Sequence, residues 1–180
     1  AQVLLTEGDF VDRTRYSNLR QTMEALLKMG VLPVINENDT VSTAELDYLN
    51  IRGGERIFSD NDRLAALVTS HIDADALVLL TDVDGLMQPG PSGAIDADAK
   101  VIPLVEEITP ELKSLALGPS EGGRGGMLTK LAAAEIAMQA GGVAVIANGT
   151  KPDTLARLFE GEPAGTVFLS KTRMAGKRRW

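Results

Sequence analysis

The apolar residues of this chain fall into five short runs, separated by polar or helix-like stretches. Each run is rich in Val, Leu or Ile and has Gly, Pro, Asn, Asp or Thr close by, which is typical of a strand. In the second run successive residues are apolar, which predicts a strand buried on both faces. The predicted strands are QVLLT (2–6), VLPVI (31–35), ALVLL (76–80), GVAVI (142–146) and GTVFL (165–169).

Helical patterns fill most of the gaps between these runs. In the first gap the apolar residues that recur at the spacing of one buried helix face are Tyr16, Leu19, Met23, Leu26 and Leu27. Further helices are predicted over 63–71, 110–117, 129–140 and 152–159. Strands alternating with helices predict an α/β fold, with a mostly parallel open sheet covered by helices on both faces.

Two helix ends carry their own signals. Gly30 is placed to end the first helix in a left-handed conformation. Thr109 is placed as an N-cap, with Pro110 at the first helical position and Glu111 in the first turn. Leu112 stands where a capping box needs an acid or Gln, so a capping box is not predicted.

Composition narrows the class of protein. The chain has 180 residues, of which 44% are hydrophobic and 24% charged, which fits one folded domain. The net charge of −7 argues against a nucleic-acid surface. Cysteine is absent and no apolar run approaches membrane-spanning length. We therefore expect a cytoplasmic protein that has neither nucleic acid nor membrane as a partner.

Polar clusters follow three of the predicted strands, where ligands bind in parallel α/β sheets. They are NEND (36–39), TDVDG (81–85) and ANGTKP (147–152). Amides and carboxylates such as Asn36 and Asp39 suit a ligand with an amine and a carboxylate. The alternative is that Asn and Asp form turns here. Asp82 suits a metal or a ribose hydroxyl, or else belongs to a turn made by Gly85.

Two more segments carry candidate chemistry. SDND (59–62) precedes a helix, so it supplies either an N-cap or an anion site that uses Asn61. EGGRGGMLTK (121–130) departs from the Walker phosphate loop, because Thr129 precedes Lys130. It is either a phosphate-binding loop of another design or a glycine hinge before a helix. His71 falls on an apolar helix face and is interpreted as a core residue.

Seven motifs, in this order, resemble the glutamate-phosphorylating branch of the amino-acid kinase family. They are AQVLLT, VLPVINEND, FSDNDRLAALV, LLTDVDGL, GGRGGMLTK, VIANGTKP and GKRRW. The resemblance implies ATP-dependent formation of γ-glutamyl phosphate in proline biosynthesis. It also implies Mg²⁺ carried by the nucleotide, with no separate metal-binding residues, and a homo-oligomer inhibited by proline.

The resemblance implies a role for individual residues. It implies Lys130 as the catalytic cation and Asp62 as the aspartate that organises catalytic lysines. Glutamate-binding residues by resemblance are Asn36, Asp39, Asp60 and Asn61. Nucleotide-binding residues by resemblance are Thr81, Asp82, Arg124, Gly125, Gly126, Met127, Leu128, Thr129 and Lys130. Arg124 departs from the Thr common in the family, which leaves the role of its side chain open.

By resemblance, residues 1–180 are the C-terminal two-thirds of the kinase domain, without a PUA domain. We expect a strand, a phosphate loop and a lysine to precede Ala1. Two alternatives remain: the kinase half of a bifunctional pyrroline-5-carboxylate synthase, and a non-catalytic module that senses glutamate or proline. A Rossmann dehydrogenase is disfavoured, because no G-x-G-x-x-G follows a strand.

Overall fold

A computed structural model describes residues 1–40, 61–89, 99–115 and 126–170. The chain divides into two compact units, Ala1–Leu64 and Ala65–Trp180. The strands of the described residues are β1 (Gln2–Leu5), β2 (Val34–Glu37), β3 (Ala76–Thr81), β4 (Leu104–Val105), β5 (Val143–Asn148) and β6 (Thr166–Phe168). The helices are α1 (Gly8–Val11), α2 (Arg13–Lys28), α3 (Asn61–His71), α4 (Pro110–Leu115), α5 (Gly126–Gln139) and α6 (Thr154–Phe159).

The first unit contains a two-stranded parallel sheet of β1 and β2, in which Gln2 pairs with Val34 and Leu5 with Glu37. The polar segment after β1 includes the short helix α1. Asp12 ends α1 and caps α2, since its Oδ1 accepts a hydrogen bond from the Arg15 N–H at 2.9 Å.

Helix α2 confirms the predicted apolar face and its predicted end. Leu19 and Met23 are buried, whereas Leu27 at the edge of the face is half-exposed. Gly30 has a φ of 68°, the left-handed conformation expected of a glycine that ends a helix. The Val31 N–H donates to the Leu26 carbonyl oxygen at 2.9 Å across this end.

The prediction that the second strand is buried on both faces is wrong for the described structure. Val34 in β2 is 64% exposed, and Leu32 just before it is also largely exposed. Within the described residues β2 has one neighbouring strand, β1. An apolar run indicates that a strand can be buried, but burial also requires other elements that pack against both of its faces.

The second unit contains a four-stranded sheet in the order β3-β5-β6-β4. Strands β3 and β5 are parallel from Ala76↔Val143 to Thr81↔Asn148, and β4 is parallel to β6. Strands β5 and β6 are antiparallel. Three of the four strand pairs in the described ranges are therefore parallel, which confirms the mostly parallel α/β class. Strand β4 was not predicted, because two residues are too few for a periodic signal.

The core of the second unit lies between this sheet and α5. Helix α5 packs along β3 and β5. Its alanines let the helix approach the strands closely, and the buried ones are Ala133, Ala134 and Ala137. Against them lie buried sheet residues that include Leu77, Leu79, Ile146 and Phe168. This packing fixes where the two ends of α5 lie relative to the sheet.

Helices α4 and α3 agree with their sequence signals. Thr109 caps α4, since its Oγ1 accepts a hydrogen bond from the Leu112 N–H at 3.2 Å. In α3, Leu64, Val68 and His71 are buried along one face, as their spacing predicts. His71 is therefore a core residue, as interpreted from the sequence.

Candidate functional site

The carboxyl end of the first unit's sheet carries the first polar cluster. Strand β2 ends at Glu37, and the Asn38 N–H then donates to the Leu5 carbonyl oxygen of β1 at 2.7 Å. Asn36 and Asp39 are both exposed. The Asn38 Oδ1 accepts a hydrogen bond from the Thr40 hydroxyl at 2.7 Å. Part of this cluster thus bonds to itself, as the turn interpretation predicts, while Asn36 and Asp39 face solvent.

The segment after β1 lies beside this cluster because β1 and β2 are paired in parallel. The Asp9 carboxylate oxygen Oδ2 accepts hydrogen bonds from the Thr6 N–H at 2.7 Å and from the Thr6 hydroxyl at 2.8 Å. These two bonds make a closed turn at the edge of the sheet. The edge is therefore lined with polar groups on both strands.

Asn61 and Asp62 are the first two residues of α3. Asn61 is exposed and Asp62 is partly buried. Asp60, the fourth residue predicted to bind glutamate, lies outside the described residues. The structure thus assigns Asn36 and Asp39 to one polar segment and Asn61 to the start of a helix.

The turn after β3 holds the predicted nucleotide residues Thr81 and Asp82. The Thr81 hydroxyl donates to the Asp82 Oδ1 at 3.1 Å. The Thr81 carbonyl oxygen accepts from the Gly149 N–H of the neighbouring turn at 2.8 Å. Thr81 is partly buried and Asp82 is exposed, so the Asp82 side chain is accessible at the carboxyl edge of the sheet.

Asn148, the last residue of β5, ties two turns together. Its Nδ2 donates to the Asp84 Oδ1 at 2.8 Å and to the Asp82 carbonyl oxygen at 3.3 Å. Its Oδ1 accepts from the Thr150 N–H at 2.9 Å and from the Thr150 hydroxyl at 2.6 Å. The Asn148 carbonyl oxygen accepts from the buried Thr154 hydroxyl at 2.7 Å. Asn148 is buried, so these bonds replace those it would make to water.

Lys151 completes the network from the turn after β5. Its Nζ donates to the Asp84 Oδ2 at 2.7 Å, and both side chains are partly exposed. The hydrogen bond from Lys151, followed by that from Asn148, lowers the pKa of Asp84 below its ordinary value. Asp84 is therefore a fixed anion at neutral pH, with both carboxylate oxygens engaged.

Gly85 is required at its place in the same turn. Its φ is 146°, which side-chain-bearing residues rarely adopt. A Cβ atom there would lie 2.7 Å from the Thr166 Oγ1 and 2.9 Å from the Val101 Cγ1. The same Thr166 hydroxyl oxygen accepts a hydrogen bond from the Leu86 N–H at 2.8 Å. The turn interpretation of TDVDG is thus confirmed.

The glycine-rich segment is more helical than predicted. Helix α5 spans Gly126 to Gln139, so Gly126, Met127 and Leu128 belong to the helix rather than to a loop before Thr129. The Thr129 hydroxyl donates to the Gly126 carbonyl oxygen at 3.0 Å inside this first turn. Lys130 lies one turn into the helix and is partly buried. Arg124 and Gly125 lie outside the described residues.

The start of α5 lies at the same sheet edge as Thr81. Helix α5 has 14 residues, about 21 Å, and β5 has six, about 20 Å. A tight turn joins them, in which the Gly142 N–H donates to the Ala137 carbonyl oxygen at 3.0 Å. Because α5 packs back along β5, its first turn returns to the carboxyl end of β3 and β5. The predicted residues 126–130 and Thr81–Asp82 therefore share one edge of the second unit.

Residues 1–148 match the model of the amino acid kinase family, which is most of the chain. The chain belongs to the amino acid kinase family. Proteins named glutamate 5-kinase from Deinococcus radiodurans and Paraburkholderia phymatum are 47% and 46% identical to all of this chain. A glutamate 5-kinase from Methanosarcina barkeri is 44% identical, again over the whole chain.

The chain spans about half the length of these amino acid kinase relatives, covering 47%, 46% and 45% of them respectively. A solved isopentenyl phosphate kinase superposes with a TM-score of 0.51 at 19% identity, covering 82% of this chain and 49% of that one. This likeness supports the amino acid kinase fold. Along the described parts of the chain no helix has the length and apolar character needed to cross a membrane.

The polar cluster after β5 is evident in the sequence, but no local pattern gives any of its residues a role. Asn148 and Lys151 are nevertheless the partners that hold the turn carrying Thr81 and Asp82. Asn148 stands opposite Thr81 in the parallel register, which no local pattern reveals. Asp84, Asn148 and Lys151 also line a cavity of about 240 Å³ in the second unit. The signal that could have found them is the recurrence of Asn and Asp at the ends of successive strands.

Proposed function

We propose that the protein containing this chain uses ATP to phosphorylate the γ-carboxylate of L-glutamate, as the first step of proline biosynthesis. The observation that carries the proposal is the identity of 44–47% over the whole chain with proteins named glutamate 5-kinase. Identity at this level over the whole chain supports a shared activity. The proposed product is γ-glutamyl phosphate.

The second unit supplies the nucleotide side of this proposal. Thr81, the exposed Asp82 and the first turn of α5 lie at one sheet edge, where ligands bind in parallel α/β folds. We assign ATP contacts to Thr81, Asp82 and the segment 124–130. The α5 N–H groups at this end favour an anion such as phosphate.

The first unit and the start of α3 supply the proposed acceptor side. The ammonium group of glutamate needs a carboxylate, which Asp39 offers in exposed form. The amides of Asn36 and Asn61 can donate to a substrate carboxylate and accept from its ammonium group. Asp60 completes the proposed set by resemblance.

In the proposed reaction a γ-carboxylate oxygen of glutamate attacks the γ-phosphorus of ATP, and the bond from that phosphorus to the β,γ-bridging oxygen breaks. ADP leaves with the bonding electron pair. Negative charge spreads over the transferred phosphoryl group, so catalysis rests on positioning and on neutralising that charge. Lys130 is proposed to neutralise it directly. Asp62 is proposed to position the lysines that surround the phosphates.

Mg²⁺ fits this scheme as a companion of ATP. It takes one or two protein carboxylates and several phosphate or water oxygens, so a dedicated cage of acids is not needed. Exposed Asp82 at the proposed nucleotide edge is of the right chemistry to face such an ion. The described residues contain no group of three or more His, Cys, Asp or Glu side chains arranged to hold a metal.

The proposal is tested on the full-length gene product by following hydroxamate formation from glutamate and hydroxylamine. We expect the reaction to require both ATP and Mg²⁺. Lys130→Ala should lower turnover by about 10²–10³-fold if the lysine neutralises transition-state charge. Lys113→Ala is the matched control, because Lys113 pairs with Glu135 on α5 at 2.7 Å and has no proposed catalytic role. Equal turnover for Lys130→Ala and Lys113→Ala would refute the assigned role of Lys130.

We extend the proposal to a cytoplasmic homo-oligomer inhibited by proline. The resemblance links the segment 48–58, which lies outside the described residues, to inhibition by proline. Adding proline to the same assay should reduce hydroxamate formation, and raising glutamate should restore it. Sedimentation of the full-length protein should give more than the monomer mass. No inhibition at millimolar proline would exclude the regulatory part.

A further inference from the structure

We propose that Asn148 is a positioning residue that sets the geometry of the nucleotide-binding turn, residues 81–85. This inference rests on the proposed function, since it takes Thr81 and Asp82 to contact ATP. Asn148 acts through its bonds to that turn and not by touching the nucleotide. Its loss is therefore expected to weaken ATP binding while leaving glutamate binding unaltered.

The bonding capacity of the Asn148 side chain is fully used. An amide offers two N–H donors and an oxygen with two lone pairs. The two donors engage the Asp84 Oδ1 and the Asp82 carbonyl oxygen, and the oxygen accepts twice from Thr150. Because the residue is buried, its hydrogen bonds are made within the protein, and together they favour one orientation of the amide.

Residues at the end of β5 and in the turn after it thus form hydrogen bonds to the nucleotide-binding turn at three residues, Thr81, Asp82 and Asp84. The Gly149 N–H engages the Thr81 carbonyl oxygen at 2.8 Å. Asn148 then engages the Asp82 carbonyl oxygen and one oxygen of Asp84. Lys151 engages the other Asp84 oxygen at 2.7 Å. Of these groups, only Asn148 reaches both the main chain of Asp82 and the side chain of Asp84.

This arrangement leaves the proposed ligand-binding atoms accessible. Asn148 bonds the main-chain oxygen of Asp82, and the Asp82 side chain is exposed. A bond to the carbonyl oxygen restrains the peptide plane that follows Asp82, and with it the main chain from which the side chain projects. The network therefore pre-organises the turn, which lowers the entropy cost of binding a ligand there.

The test uses the full-length gene product and variants that separate the bonds. Asn148→Ala removes the amide. Asn148→Asp keeps the shape of the side chain but removes both donors and faces Asp84 with a second carboxylate. Lys151→Met removes only the outer bond to Asp84. Arg157→Met is the matched control, because Arg157 is also a half-exposed base bonded to a carboxylate, that of Glu162, at 2.6 Å.

We expect Asn148→Ala and Asn148→Asp to raise KM for ATP about tenfold, with KM for glutamate within about twofold of the unaltered protein. Lys151→Met should raise KM for ATP about threefold or less, since its ion pair is exposed. Arg157→Met should leave both constants unchanged. Combining Asp84→Asn with Asn148→Asp removes the repulsion between two carboxylates. The double variant should therefore have a lower KM for ATP than Asn148→Asp alone.

Calorimetry with ADP separates this inference from the proposed function. Weaker ADP binding by Asn148→Ala supports the positioning role even if the unaltered protein fails to phosphorylate glutamate, a result that would overturn only the proposed function. Equal ADP affinity in the folded Asn148→Ala and unaltered proteins would overturn the inference. So would a lower melting temperature with KM for ATP and KM for glutamate raised alike, because that pattern marks a purely structural residue. If Asn148→Ala does not fold, Asn148→Asp and the Asp84→Asn/Asn148→Asp double variant decide the matter: weaker ADP binding by the first with partial recovery in the second supports the positioning role, and equal ADP affinity in Asn148→Asp and the unaltered protein overturns it.

Discussion

Strands β2 and β5 have the same kind of sequence pattern but differ in how far they are buried. Both are apolar runs, both have a parallel neighbour and both contain an asparagine near the carboxyl end, Asn36 or Asn148. Ala144 to Asn148 are all buried, whereas Val34 is 64% exposed. The difference comes from neighbours, since β5 lies between β3 and β6 and under α5, while in the described residues β2 pairs only with β1.

The two asparagines differ for the same reason. Asn148 faces a turn that the parallel register brings alongside it, and every atom of its amide that can bond does so. Asn36 is exposed at the edge of a two-stranded sheet. The polar atoms of a buried amide must be hydrogen-bonded within the protein, so the amide links the segments to which it is bonded. An exposed amide remains available to a ligand, which is the role we propose for Asn36.

The largest expected difference between the two strands is in the free energy of unfolding. Ile146→Ala in β5 should lower it by about 2–5 kcal/mol, since Ile146 is 0% exposed and leaves a cavity between sheet and α5. Val34→Ala in β2 should change it by no more than about 0.5 kcal/mol. Urea unfolding followed by circular dichroism measures both. A cost at Val34 as large as that at Ile146 would mean that β2 is covered in solution.

A smaller contrast concerns one glycine in each unit. Gly85→Ala should destabilise the protein by more than about 1 kcal/mol, because a strained φ adds to the close approach of Thr166. Gly30→Ala should cost about 1 kcal/mol, from its φ of 68° alone, as nothing lies within 4 Å of the added Cβ atom. Thermal unfolding of the two variants gives the order, and a reversed order would contradict the close packing around Gly85.

Two threonines after β5 and β2 offer a matched pair of hydroxyls. The Thr154 hydroxyl is buried and bonds the Asn148 carbonyl oxygen at 2.7 Å, while the Thr40 hydroxyl bonds the Asn38 side chain at the same distance in an exposed turn. Thr154→Val should cost about 1–3 kcal/mol, because it leaves a buried carbonyl without its partner. Thr40→Val should cost less than about 0.5 kcal/mol. Equal unfolding midpoints in urea would argue against a difference in burial.

The smallest expected effect is that of pH on the turn beside Asn148. The folded pKa of Asp84 is lowered, so its ion pair stabilises the protein above the ordinary aspartate pKa, near 3.9, and the effect is lost as the pH falls through the lowered value. The contribution is below about 1 kcal/mol, because both side chains are partly exposed. Lys151→Met should raise the pKa of Asp84, measured by carboxyl-carbon NMR titration. An unchanged pKa would show that Asn148 alone sets it.

Much of the fold was predictable because its signals are local. Gly30 and Thr109 end and begin helices as predicted, since capping depends on residues a few positions apart. The α5 boundary differs by three residues from the predicted one, because the glycines before Thr129 predict a loop, whereas a glycine is well tolerated where a helix begins. Of the candidate site, the two polar edges were predictable from polar residues that follow strands. The hydrogen bonds that Asn148 and Lys151 make to Asp84, across sequence separations of 64 and 67 residues, were not predictable.

The residues alone were enough to give the alternation of strands and helices, the positions of several caps and turns, and the resemblance that led to the family. These depend on neighbours within one or two turns of chain. Packing in three dimensions was needed to show that β5 is buried while β2 is exposed, and that Asn148 is the partner of Asp82 and Asp84. Burial and long-range hydrogen bonding depend on which elements lie side by side, and that follows from the packing of the whole unit.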